Sequence, residues 1–207
     1  SIPVPGAVDQ MRAISRDGRW LAAAQHAGPV QVFDLSDGSL AYSLLEAAPQ
    51  EDILCISPDG ALVANHVTTA GEQPTIQLRR LEDGVVLNTL PVPGSQNTYL
   101  YQCEFVPSGE LLLLSTSDGV YAWNLPDGEA EAASPSGRIP ARSFQIAVHP
   151  DGERLVALQE SGLNSYSLPD LKGAEALRGP ANALAFALSP NGEQIVIGAE
   201  GLFQVRS

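Results

Sequence analysis

The sequence predicts an all-β protein built from repeats, and two observations support this prediction. A short turn recurs along the chain, and its glycines lie about 40 to 50 residues apart, a period typical of repeat architectures. These glycines are Gly18, Gly60, Gly109, Gly152 and Gly192. Between the turns, short apolar runs alternate with clusters of Pro, Gly, Asp and Asn, which is the pattern of antiparallel hairpins.

Each repeat has the same internal order of predicted strands. An apolar strand precedes the turn, as at residues 53–56, and a second strand follows it, as at residues 111–114. A glycine-marked turn leads to a third strand at residues 119–125, and a second polar turn leads to an outer strand such as residues 85–90. Residues 128–133 are rich in Ala and Glu and are interpreted as a weak outer strand or a loop. Each unit is therefore predicted to hold four strands and no helix.

The units resemble WD repeats, the Trp-Asp family of β-propeller blades. In that family an inner strand runs into Ser-Pro-Asp-Gly, and the turns here read S-R-D-G, S-P-D-G, V-P-S-G, H-P-D-G and S-P-N-G. The Trp-Asp position reads F-D at 33–34, R-R at 79–80, W-N at 123–124, Y-S at 166–167 and V-R at 205–206. The resemblance implies a propeller, and the departures imply that most of the hydrogen bonds that staple a WD blade are missing.

The resemblance covers almost the whole chain, so we expect one domain over residues 1–207 with five four-stranded blades. Residues 2–6 repeat the pattern of residues 90–94, which end the second outer strand. They are therefore expected to pair with the last strand, residues 202–206, and to close the ring by covering a strand edge. The alternative is that the chain is a fragment of a propeller with more blades.

Composition narrows the choice of partner. The formal net charge is −13, from 24 acidic against 11 basic residues. Such a surface repels phosphate groups, which argues against nucleic acid and anionic membranes and favours a basic peptide or a neutral ligand. No apolar run is long enough to span a bilayer. No signal peptide is evident, which slightly favours the cytoplasm while leaving the periplasm and extracellular space open. The first residue is Ser1 rather than Met, as expected of a processed chain or part of a longer one.

The two cysteines lie on predicted inner strands at different offsets from their turn glycines. Cys55 precedes Gly60 and Cys103 precedes Gly109, and because side chains alternate along a strand, the offsets place the cysteines on opposite strand faces. The sequence therefore predicts two buried structural thiols rather than a disulfide.

Propellers bind through the loops at the ends of the ring and through the central channel. The face opposite the repeated turns carries the longer and more variable connections, at residues 46–52, 66–74, 91–98 and 134–142. Tyrosine and arginine, which anchor many interfaces, occur there. One register, eight residues before the turn glycine, holds Gln10, Asp52, Tyr101, Phe144 and Leu184. The proposed partner-binding residues are Asp52, His66, Tyr99, Tyr101, Arg138, Arg142, Phe144 and Asn182. The alternative is that Tyr101 and Phe144 plug the channel.

The sequence favours a non-enzymatic binding or scaffolding module that engages a protein or peptide, without cofactor or metal. It contains no phosphate-binding loop and no Cys/His/carboxylate cluster at metal-ligand spacing. Glu104 stands out as a candidate for chemistry, because the other four inner strands carry a small residue, Ala or Cys, at the equivalent position. One alternative is a small-ligand or carbohydrate-binding propeller. A second is a five-bladed glycosidase with Glu104 as a catalytic acid, although such an enzyme needs two facing carboxylates. The alternative role for Glu104 is a non-catalytic side chain that faces the channel and is bound by water or by Arg12 of another blade.

Overall fold

The computed structural model describes residues 10–15, 17–24, 30–44, 50–68, 71–95, 98–125, 134–180 and 182–206. Over these ranges the chain forms nineteen β-strands in five antiparallel sheets, with no helix. The all-β prediction is confirmed. Two compact units contain these sheets: unit 1 comprises Ser1–Asn97 and Pro126–Ser134, and unit 2 comprises Thr98–Leu125 and Pro135–Ser207.

Unit 1 holds two four-stranded sheets, each with its strands in chain order. The first sheet contains β1 (Gln10–Ile14), β2 (Trp20–Ala24), β3 (Val30–Asp34) and β4 (Ser39–Leu44). The second contains β5 (Gln50–Ile56), β6 (Leu62–Thr68), β7 (Thr75–Arg80) and β8 (Val86–Pro91). A buried cluster that includes Ala22, Val32, Val63 and Leu81 packs the two sheets together.

Unit 2 holds the remaining three sheets. The third sheet contains β9 (Leu100–Phe105), β10 (Leu111–Thr116), β11 (Gly119–Asn124) and β12 (Gly137–Ile139). The fourth contains β13 (Ser143–Val148), β14 (Arg154–Gln159), β15 (Gly162–Ser167) and β16 (Lys172–Ala176). The fifth has three strands within the described residues, namely β17 (Ala183–Leu188), β18 (Ile195–Ala199) and β19 (Leu202–Arg206).

Two apolar cores hold unit 2 together. One cluster joins the third and fourth sheets through residues such as Leu113, Ile146 and Leu155, each essentially inaccessible to solvent. Another joins the fourth and fifth sheets, with Phe186 and Ile197 at its centre. Within unit 2, each sheet thus packs on the next through apolar side chains, as expected when single repeats cannot bury their own apolar faces.

The recurrent turn has the same geometry at all five predicted positions. The glycine N–H donates to the carbonyl three residues earlier at 2.8 to 2.9 Å. Every turn glycine has a positive φ between 70° and 81°, a conformation that side chains other than glycine rarely adopt. In the first turn, Ser15 Oγ donates to Asp17 Oδ1 at 2.5 Å and accepts from the Trp20 N–H at 2.8 Å. The second turn repeats this arrangement with Ser57 and Asp59.

Polar side chains form hydrogen-bond networks inside the sheets. In the fourth sheet, the Tyr166 hydroxyl donates to Gln159 Oε1 at 2.9 Å, and Gln159 Nε2 donates to Ser143 Oγ at 3.1 Å. In the second sheet, buried Arg79 donates to Asn65 Oδ1 at 3.2 Å and to the Gly84 carbonyl at 3.1 Å. Buried polar groups need such partners, and in these two sheets other side chains and the backbone supply them.

Cys55 and Cys103 are both disulfide-bonded, so the prediction of two buried thiols is wrong. That prediction used only the strand face on which each cysteine lies, and strand face alone does not decide whether a sulfur finds a partner. Ring closure by residues 2–6 and the interpretation of residues 128–133 fall outside the described residues, so both stay predictions.

Candidate functional site

An irregularity near the start of each inner strand shapes the candidate site. In β9, β13 and β17 the pairing with the second strand skips one residue, which is the signature of a β-bulge. The skipped residues are Tyr101, Phe144 and Leu184. These are the three members that the predicted register places in unit 2, so the register marks a shared structural feature there. A bulge bends the strand and re-aims the extra side chain.

Unit 1 departs from this register. The pairing in β1 skips Arg12, and the pairing in β5 skips Leu54, so both bulges lie two residues nearer the turn than in unit 2. Asp52 instead pairs regularly with His66 across β5 and β6. The side chains of Gln10 and Asp52 lie outside the described residues. Equal spacing from the turn glycine therefore does not give Gln10 and Asp52 the bulged backbone found in unit 2.

Three side chains of unit 2 form a continuous cluster, which we call the bulge cluster: Tyr101, Arg142 and Phe144. The two rings lie 6.3 Å apart between centroids and are tilted by 53°. The guanidinium carbon of Arg142 lies 5.2 Å from the Tyr101 ring centroid and 4.7 Å from that of Phe144. These separations suit cation–π attraction. No carboxylate in the described part of the chain forms an ion pair with Arg142.

The backbone beneath the cluster is held firmly on both sides of the Phe144 bulge. The Ser143 carbonyl accepts a hydrogen bond from Ser115 Oγ at 2.5 Å. The hydroxyl of the buried Ser143 accepts a second one from Gln159 Nε2. The Ile146 N–H donates to Gln102 Oε1 at 2.9 Å. The exposed Phe144 side chain therefore projects from a hydrogen-bonded support rather than from a free loop.

Other large side chains extend the exposed surface around these strands. Tyr101 is 36% exposed and Phe144 is 43% exposed, whereas Leu184 reaches 71% and Tyr99 reaches 73%. The Tyr99 N–H donates to Ser117 Oγ at 3.2 Å, which fixes its backbone directly before β9. Asn182 is exposed and directly precedes β17. Of the predicted partner-binding residues, unit 2 thus presents Tyr99, Tyr101, Arg142, Phe144 and Asn182 around its inner-strand starts.

Arg138 does not belong to this group. It was expected on a loop of the variable face, but it lies on the outer strand β12, opposite Tyr121 of β11. Its guanidinium carbon lies 5.3 Å from the Tyr121 ring centroid. The connection assigned to residues 134–142 therefore contains the fourth strand of the third sheet. Asp52 and His66 belong to unit 1, where they are register partners in the pairing of β5 with β6.

The carboxyl group of Glu104 is buried and accepts a backbone hydrogen bond. Its Oε1 accepts the Val148 N–H at 3.1 Å, whereas its buried Oε2 has no hydrogen-bond partner within the described residues. Burial raises the pKa of Glu104 to about 7, and the Val148 N–H partly opposes this increase. The catalytic carboxyl group of a glycosidase must reach its substrate. The burial of the Glu104 carboxyl group therefore gives the glycosidase alternative no support.

Sequence reasoning missed the roles of Gln102 and Gln145. Gln102 accepts the Ile146 N–H, and Gln145 pairs with the backbone of Phe186 in both directions. Both glutamines stand seven residues before their turn glycines, so a polar residue repeated within an apolar strand was the available signal.

Among the described residues, no group of three or more His, Cys, Asp or Glu side chains could hold a metal ion, and no helix could cross a membrane.

Comparison with solved structures identifies the type of fold that the five sheets form. The chain aligns with the β-propeller domain of Cps50 (Swd1) from Myceliophteria thermophila with a TM-score of 0.67, over 95% of this chain and 65% of that one, at 16% identity. The fold is a β-propeller. At this identity the likeness shows the fold alone. No protein-family model matches the chain, and no curated protein is a significant match. The five sheets fit five blades of this propeller.

Proposed function

We propose that this propeller is a non-enzymatic binding module that engages a protein or peptide through the bulge cluster. The observation that carries the proposal is that three successive inner strands each turn a large apolar or aromatic side chain outward at a bulge. Such residues are usually buried, and exposed groups of them mark interaction sites more often than scattered single ones do.

The chemistry of the cluster suits an anchor point. Tyr and Arg are enriched among the residues that dominate binding energy, because they combine a large contact area with polar groups. Arg142 lies against two rings and has no acidic partner among the described residues, so its guanidinium can donate to a carbonyl or carboxylate of the partner. The net charge of −13 favours encounter with a basic partner. The expected partner is therefore a largely basic peptide that brings an apolar side chain and an acceptor to this point.

A peptide-display selection on the purified chain tests the proposal. Binders selected on the wild-type chain are then measured against Tyr101→Ala/Arg142→Ala. We expect the dissociation constant to rise by at least about tenfold, since each 1.4 kcal/mol corresponds to one factor of ten. The matched control is Tyr121→Phe/Arg138→Ala, which alters the other Arg–Tyr pair of unit 2. Equal affinity for the wild-type chain and the Tyr101/Arg142 variant would refute the proposed surface.

A further inference from the structure

A cavity lies between the fourth and fifth sheets of unit 2. It has a volume of about 460 Å³ and opens beside the turns that contain His149 and Gly192. These turns follow the ends of β13 and β17, whereas the bulges lie at the starts of those strands. We call this cavity the turn-side crevice. Its volume falls within the range of sites that hold small molecules.

The turn-side crevice concentrates positive charge in an acidic chain. Arg154, Arg178 and Arg206 all line it, and they make up three of the eleven Lys and Arg residues. Arg154 is partly neutralised, because it donates to Asp151 Oδ2 at 2.9 Å. Arg178 and Arg206 form no ion pair with a carboxylate of the described residues, although Glu193 also lines the crevice. Arg206 donates to the neutral Gln204 Oε1 at 3.3 Å, so no carboxylate ion pair within the described residues neutralises either of these two guanidinium groups.

Four apolar residues also line the crevice, beside polar ones that include Ser165, Glu193 and Gln194. Val156, Leu177, Leu188 and Ile195 line the crevice and belong to the edge of the core that joins the fourth and fifth sheets. Val156 is almost fully buried, whereas Leu188 and Ile195 are partly exposed. Apolar side chains beside guanidinium groups that form no ion pair within the described residues match a ligand that has one charged end and one hydrocarbon end.

We propose that the turn-side crevice binds a small organic acid that has a carboxylate head and an apolar body. The planar guanidinium groups of Arg178 and Arg206 bind the carboxylate, because their paired N–H donors match its two oxygens. The hydrocarbon part packs against Val156, Leu188 and Ile195. This site is separate from the bulge cluster, and it goes beyond the proposed peptide-binding function.

Backbone-amide NMR titration of the full chain tests this inference, with phenylbutyrate as the probe. We expect saturable shifts at Gly192, Ile195 and Arg206, and at least about tenfold weaker binding to Arg178→Gln/Arg206→Gln. Arg80→Gln is the matched control, because Arg80 is exposed and pairs with Asp83 in unit 1. Tyr101→Ala is expected to bind phenylbutyrate as the wild type does, so failure of the peptide proposal is distinguishable from failure of this one.

Three comparisons fix the ligand class. Phenylbutyramide keeps the apolar body without the charge, and acetate and inorganic phosphate keep a charge without the body. All three are expected to bind at least about tenfold more weakly than phenylbutyrate. Equal binding of the amide, equal binding of phosphate, unchanged binding to the double variant, or no saturable shift with phenylbutyrate would each overturn the inference. An unchanged thermal unfolding midpoint shows that the double variant is folded.

Discussion

The side chain of Gln145 forms two hydrogen bonds with the backbone of Phe186. Gln145 Nε2 donates to the Phe186 carbonyl at 2.8 Å, and the Phe186 N–H donates to Gln145 Oε1 at 3.0 Å. Gln102 and Glu104 accept from the Ile146 and Val148 N–H groups in a similar way. An inner strand pairs with one neighbour in its own sheet and leaves its other edge open. In the fourth and fifth sheets, side chains from the preceding sheet occupy that edge.

Gln145→Ala is therefore expected to destabilise the protein by about 1 to 3 kcal/mol, because it leaves a buried donor and acceptor of Phe186 unpaired. Urea denaturation measures this change. Gln194→Ala removes an exposed glutamine of the same unit and is expected to stay within about 0.5 kcal/mol of the wild type. Equal effects of the two substitutions would contradict the edge-covering role.

The buried carboxyl group of Glu104 predicts a dependence of stability on pH. Its pKa is about 7 in the folded protein against an ordinary value of 4.5, so the folded state binds the proton more tightly than the unfolded state. The stabilising contribution of the protonated group is complete below pH 4.5 and is lost as the pH rises toward 7 and above. The expected loss is up to about 3 kcal/mol.

Urea titrations at about pH 5 and about pH 8 measure this loss. Glu104→Gln is expected to flatten the pH dependence whatever its absolute stability, because an amide does not ionise. Glu110→Gln, an exposed substitution on the same sheet, is expected to keep the wild-type dependence. The turn carboxylates Asp17 and Asp59 contribute little to this range, because the hydroxyls of Ser15 and Ser57 hold their pKa values below the ordinary range. An unchanged slope in Glu104→Gln would contradict the assignment.

Close packing against His149 is expected to make Gly192 more sensitive to substitution than Gly18. Its φ is 73°, the same as that of Gly18, but a Cβ at Gly192 would collide with the His149 ring, whereas none of the described atoms approaches a Cβ at Gly18 within 4 Å. Gly18→Ala is expected to cost about 1 to 2 kcal/mol from the backbone alone. Gly192→Ala is expected to cost at least about 1 kcal/mol more.

A double-mutant cycle with His149→Ala identifies the source of the excess cost. If the collision with His149 causes it, combining Gly192→Ala with His149→Ala removes the excess. Additive effects of the two substitutions in thermal unfolding would show that the ring is not responsible.

The prediction that residues 1–207 form one domain is tested by calorimetry. A single cooperative domain gives one transition whose calorimetric and van't Hoff enthalpies agree. Two resolved transitions, or a calorimetric enthalpy well above the van't Hoff value, would contradict the single-domain prediction. Gln145→Ala, a substitution within unit 2, is expected to shift the whole transition rather than one part of it.

The sequence predicted the repeats well, because the turns depend on local chemistry. Ser57, Asp59 and Gly60 contact one another within a few residues, so their spacing alone encodes the turn. The sequence also placed Tyr101 and Phe144 together, because one register on neighbouring strands brings side chains close. Their ring centroids lie 6.3 Å apart, and their role in binding stays a prediction.

Features that depend on pairing between strands could not be predicted. The bulge lies two residues nearer the turn in unit 1, and residue spacing cannot show where a strand pair skips a residue. Arg138 was assigned to a loop because its Gly- and Pro-rich surroundings hid the three-residue strand β12. The turn-side crevice joins Arg154, Arg178 and Arg206 from distant parts of the chain, so only the packed sheets bring them together.

Photo-cross-linking at Phe144 tests the proposed binding surface most directly. Benzoylphenylalanine replaces Phe144 or Tyr99 in two variants and Phe203 in a third. Phe203 is 82% exposed and lies on β19, outside the bulge cluster. With a peptide selected by display, irradiation is expected to link the peptide at position 144 or 99 and not at position 203. Linkage mainly at position 203, or none at 144 and 99 while the peptide stays bound, would contradict the proposed surface.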